Sequence, residues 1–81
     1  MNGYKYEVVS HIGTISAYRV DDTSWRKELN VVAWNGRPPK VDIRDWTADH
    51  KTMSKGITMT MDDALNLYKL LGALFGEKIE A

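Results

Sequence analysis

The chain has 81 residues, no cysteine, and eleven basic against eleven acidic side chains, for a formal net charge of zero. A chain this short predicts one domain, residues 1–81, with a modest core; the lack of cysteine excludes disulfides and thiolate metal sites, and neutrality argues against indiscriminate polyanion binding. No apolar run nears the roughly 20 residues that span a bilayer, and the start, MNGYKYEVV, lacks a basic segment followed by an apolar one, so a soluble, unprocessed protein is expected, with a composition that suits a reducing cytoplasm.

The segment 6–18, YEVVSHIGTISAY, is rich in β-branched and aromatic residues with partial alternation, which predicts a strand with a bulge or bend at Gly13. VDDTS at 20–24 has turn chemistry and implies a hairpin to the next strand, WRKELNVVAW at 25–34. Alternation sends Trp25, Lys27, Leu29, Val31 and Ala33 to one face and Arg26, Glu28, Asn30, Val32 and Trp34 to the other. Leu29, Val31 and Ala33 make the better core set, which leaves Trp34 on a partly polar face.

NGRPP at 35–39 stops that strand, because Asn-Gly favours a tight turn and proline cannot donate to a central ladder. KVDIRDW at 40–46 resumes the period of two, with Val41 and Ile43 on the core side and Asp42, Arg44 and Trp46 opposite. TADHKTMS at 47–54 reads as a polar loop and KGITMT as a fourth strand. Thr60 is a suitable N-cap, with Asp62 and Asp63 favoured in the first turn of a helix that runs to about Gly76.

That helix is apolar over more than one stripe. Met61, Ala64, Leu65, Tyr68, Leu71 and Phe75 follow the 3.6-residue period, and Leu67, Leu70 and Leu74 widen the face beyond what one small sheet covers. A homodimer through the helix is the expectation, with Leu67, Leu70, Leu71, Leu74 and Phe75 at the interface.

Residues 25–58 combine three tryptophans with seven cationic side chains against four acidic ones, a local excess of three balanced by the rest of the chain. Exposed aromatics beside Lys or Arg are what an unpaired nucleotide needs, a π-face for the base and a charge for the phosphate. Trp34 and Trp46 are expected to stack, with Arg26, Lys27, Arg37, Lys40, Arg44 and Lys55 as candidate cations. A core role is the alternative for each tryptophan, and an ion pair with Asp42 or Glu28 is the alternative for Arg44.

Nothing in the chain reads as an enzyme. His11 and His50 lack the neighbours of a metal site, Asp42 and Asp45 fall on opposite strand faces and cannot pair for acid–base work, and no serine sits in a nucleophile elbow. No Gly-rich phosphate loop occurs. No cofactor and no metal are expected. A protein-interaction module and single-stranded RNA binding are the competing readings, since stacking and phosphate contacts serve RNA as well as DNA.

VDIRDW, then a short loop, then KGITMTMDDALNLYKLL resemble the positive cofactor four family of single-stranded DNA-binding transcriptional coactivators. That family shows an Ile-Asp-Ile-Arg-acid-aromatic strand, a flexible loop, Lys-Gly-Ile-Ser/Thr and a C-terminal helix. WNGRPPK is similar to its bacterial, YdbC-like branch, which extends the likeness over roughly residues 5–75. The resemblance implies an α+β fold of order ββββα: a curved four-stranded antiparallel sheet and one C-terminal helix, dimerising through the helices so that two channels hold unpaired DNA.

By position, the resemblance makes Trp34 a base-stacking aromatic, Arg37 a nearby cation, Arg44 and Trp46 the arginine and aromatic of the strand motif, and Lys55-Gly56 the place where backbone meets phosphate. Asp42 and Asp45 become structural acids. The basic, serine-rich N-terminal tail of the eukaryotic members is missing, so the implied activity is DNA binding without a coactivator role. The pathway served is not implied.

Overall fold

The computed structural model describes residues 5–18 and 25–76. Four strands, β1 (Tyr6–Tyr18), β2 (Trp25–Trp34), β3 (Lys40–Thr47) and β4 (Met53–Met59), form one antiparallel sheet in the order β1-β2-β3-β4, and the helix α1 (Met61–Phe75) follows. The ββββα order and the antiparallel sheet match the expectation. The proposed turn at 20–24 lies outside the described residues.

Local chemistry accounts for each boundary. Asn35 and Gly36 both take positive φ, 49° and 76°, and Arg37 N–H donates to Trp34 C=O at 2.9 Å, a tight turn that ends β2 before the prolines. Asn35 also ties the start of β1: its N–H donates to Lys5 C=O at 2.7 Å and its Oδ1 accepts from Lys5 N–H at 3.1 Å. Thr60 caps α1 by accepting from Asp63 N–H at 3.0 Å, and Gly76 at φ 82° closes it.

Two features differ from the sequence reading. β4 begins at Met53, so the polar loop shrinks to residues 48–52, because Thr47 and Thr52 bond across it: Thr47 N–H donates to Thr52 C=O at 3.0 Å and Thr52 N–H to Thr47 Oγ1 at 3.1 Å. In β1 the register slips three times against β2, between Val8 and Ser10, His11 and Gly13, and Thr14 and Ser16. Gly13 does mark a bulge, and each slip bends the strand further.

The sheet is curved, and its curvature corrects the core assignment. Trp34 and Arg44 are well separated along the sheet, since Arg44 pairs with Glu28, six residues from Trp34. Six residues of strand span about 20 Å, yet the Arg44 guanidinium carbon lies 4.8 Å from the Trp34 ring centre. Only a sheet folded over this face brings them together. The concave side therefore carries Trp34, Arg44 and Trp46, and it holds the buried side chains Glu28, Asn30, Val32, Asp42 and Trp46.

Leu29, Val31 and Ala33, expected to form the core, are only half-buried on the convex side, together with Val41 and Ile43. Alternation located the two faces correctly. It could not show that curvature would bury the one with more polar residues. The helix leaves the convex side largely uncovered, touching only β3 and β4. No helical residue is buried, and Tyr68, Leu70 and Leu74 are about 70% exposed, at 72%, 68% and 71%.

Candidate nucleic-acid interface

The concave face is built from aromatics set over a buried polar floor. Tyr6, paired with Trp34 across the β1–β2 ladder, places its ring centre 5.6 Å from that of Trp34 and 5.8 Å from that of Trp46, tilted in both cases. Sequence reasoning missed Tyr6. Its signal was present, since the concave-side residues of β1 follow from the register opposite Trp34, but three bulges hide that register from simple alternation.

Arg44 is fixed in place. Its Nε and Nη2 donate to the two oxygens of Asp42, both at 2.7 Å, Nη1 donates to Ser54 C=O at 3.2 Å, and Nη2 also meets Thr58 Oγ1 at 3.4 Å. Asp42 has no solvent exposure and takes a further bond from Thr58 Oγ1 at 2.9 Å. A bidentate, charge-assisted pair of this kind holds the guanidinium plane in one orientation, with its carbon over the Trp34 ring. The acid alternative for Arg44 is the one realised here, with Asp42 as partner.

Gly56 serves that pair. A Cβ added there would stand 2.4 Å from Arg44 Cβ, 2.5 Å from Ile43 O and 2.9 Å from Arg44 Nε. The glycine lets β4 pass under the arginine stem. Lys55 beside it is exposed and lines an open groove with Trp34, Arg44, Met53, Ser54 and Thr58.

The other named cations divide between the two sides. Arg37 and Lys40 are exposed at the β2–β3 end, next to Trp34 in sequence or ladder. Arg26 is part-buried on the concave side, opposite Trp46. Lys27 belongs to the convex side, where its Nζ bonds Asp45 at 3.1 Å. The face that carries Trp34 does not include it.

Trp46 departs most from expectation. It keeps 1% of its surface exposed, so it offers no open ring as it stands. The His50 imidazole lies over it, centres 4.5 Å apart and planes 11° from parallel, and Tyr6 closes another side. His50 Nε2 reaches Glu28 at 3.0 to 3.1 Å; Glu28 also accepts from Asn30 Nδ2 at 3.1 Å, and Asn30 Oδ1 accepts from His11 Nδ1 at 2.7 Å. Both histidines are thus hydrogen-bonded; no cluster able to hold a metal ion occurs among the described residues.

The loop that carries His50 is braced by Asp49, whose Oδ1 accepts from Lys51 N–H at 2.9 Å and Thr47 Oγ1 at 2.8 Å. The bond from the Lys51 backbone, then that from Thr47, hold its carboxyl below the ordinary value of 3.8. No helix among the described residues is long and apolar enough to cross a membrane.

A family profile described as Transcriptional Coactivator p15 (PC4) matches residues 22–70, which takes in all of β2, β3 and β4 and most of the helix. An uncharacterized protein of Treponema pallidum (strain Nichols) is 39% identical over 71 residues, 88% of this chain and 80% of the relative. The chain belongs to the transcriptional coactivator p15 (PC4) family, the positive cofactor four family of nucleic-acid-binding proteins.

Proposed function

We propose that the protein binds single-stranded DNA with little sequence preference, as a homodimer, and catalyses no reaction. One observation carries the reading: Trp34 stands over an open groove, backed by an immobile arginine and flanked by Tyr6, with Lys55, Arg37 and Lys40 exposed nearby. A base stacks on the aromatic wall while the exposed cations take the phosphates. The floor holds two buried carboxylates, Glu28 and Asp42, so phosphates belong at the rim and bases inside.

The helix supports the dimer. Its exposed apolar residues, with the half-buried convex side of the sheet, form a patch of the kind that monomers rarely leave in water. Leu67, Leu70, Leu71, Leu74 and Phe75 are the interface residues in this reading. The cysteine-free composition suits a reducing cytoplasm.

The test is a titration of intrinsic tryptophan fluorescence with oligo(dT), on the wild type and Trp34→Ala, with duplex DNA and matched oligo(U) as competitors. Quenching by oligo(dT), lost or weakened in Trp34→Ala and poorly competed by duplex, is the expected result. Equal affinity for duplex would refute the channel. Stronger competition by oligo(U) would make RNA the ligand.

A further inference from the structure

We propose that His50 holds the place of a nucleobase on Trp46, so that loop 48–52 is a lid which a single strand must displace to gain a second stacking site. The inference rests on the single-strand reading above and adds to it a site that is shut in the free protein. Four observations meet at this residue. The imidazole is flat against the indole at stacking distance, 4.5 Å and 11°, which is the geometry a base would take there.

Trp46 lies on the same concave side as Trp34, and Tyr6 touches both rings, so a strand stacked at Trp34 is led toward Trp46. His50 has φ 62°, a left-handed backbone uncommon for a non-glycine residue. What holds it is the bond from Nε2 to Glu28, together with His50 N–H donating to Thr47 C=O at 2.8 Å.

The cover is also the easiest part of the site to move. His50 sits in a five-residue connection between two strands, and its side chain is 39% exposed while that of Glu28 is 4% exposed. Displacing it breaks the side-chain bond to Glu28, the backbone bond to Thr47 and one ring stack, and in return relieves the left-handed backbone. Tyr6, by contrast, is set in the β1–β2 ladder.

The test uses His50→Asn, which tolerates the left-handed backbone without a ring, and His50→Gly, which prefers that backbone and so protects the fold. In a Trp25→Phe/Trp34→Phe background, acrylamide quenching of Trp46 should rise in both variants. With Trp25 and Trp34 restored, labelled oligo(dT) should bind both variants about two- to tenfold more tightly than wild type, the range set by one competing aromatic stack.

Unchanged or weaker binding by the variants beside a binding wild type would overturn the lid, as would a Trp46 that stays shielded without His50. Failure of every protein to bind, wild type included, would instead strike the single-strand reading itself and the lid with it.

Discussion

Replacing Arg44 by methionine is expected to damage the fold more than the phosphate contacts. The guanidinium makes two 2.7 Å bonds to Asp42, whose side chain has no exposure, while the arginine side chain is 12% exposed. Without it Asp42 keeps only the Thr58 hydroxyl at 2.9 Å. Stranding one partner of a buried pair costs about 3–5 kcal/mol, against a total of about 5–15 kcal/mol for a typical domain. Urea denaturation of wild type, Arg44→Met, Asp42→Val and the double variant measures this.

The double variant should be less destabilised than the two single losses added together, with a coupling of about 1–3 kcal/mol. A loss below about 1 kcal/mol, the worth of an exposed pair, and no coupling would refute the argument. Where the variant is folded, its salt dependence of DNA binding should equal that of wild type, because the arginine donors are committed inside the protein.

Gly56→Ala should destabilise by about 1–3 kcal/mol through overpacking against Arg44, read as a fall in the thermal midpoint; an unchanged midpoint would show that the strands can part at no cost. Leu70→Glu with Leu74→Glu should convert a dimer, seen by light scattering across the micromolar range, into a monomer, and a wild type already monomeric there would sink the helix interface. Asp49, its carboxyl pulled down, stabilises fully above the ordinary value of 3.8, and that contribution is lost as pH falls through its lower folded value. The stability gap between wild type and Asp49→Asn should accordingly hold steady above about pH 5 and shrink progressively below it; a gap that already shrinks near neutrality would contradict this.

The sequence made the elements legible because each is punctuated by residues with one strong conformational preference: Asn35-Gly36 and the prolines after β2, Thr60 and Gly76 around the helix. Alternation also separated the two faces of β2 and β3 without error. What alternation lacks is curvature. Three bulges in β1 and the folding of the sheet over its concave side bring Trp34 to Arg44 and Tyr6 to Trp46, contacts between residues with no periodic relation.

The buried status of Trp46, and the commitment of Arg44 to Asp42, follow from that bend. So does the role of Gly56, where the steric need arises only once β4 lies under the arginine. Lys27 shows the reverse case, in which composition suggested a site cation and strand parity had already sent it to the other side.

The central claim is that Trp34 stacks on bases while exposed cations take phosphates, and a salt series of oligo(dT) binding on wild type and Trp34→Ala tests both halves. With Arg37, Lys40 and Lys55 as the contacts, the slope of log affinity against log salt should be about −2 per channel, at roughly −0.7 for each phosphate. Trp34→Ala should lose about 1–3 kcal/mol of binding at every salt concentration, with the slope unchanged. A slope near zero, or a Trp34→Ala protein that binds as tightly as wild type, would contradict the account.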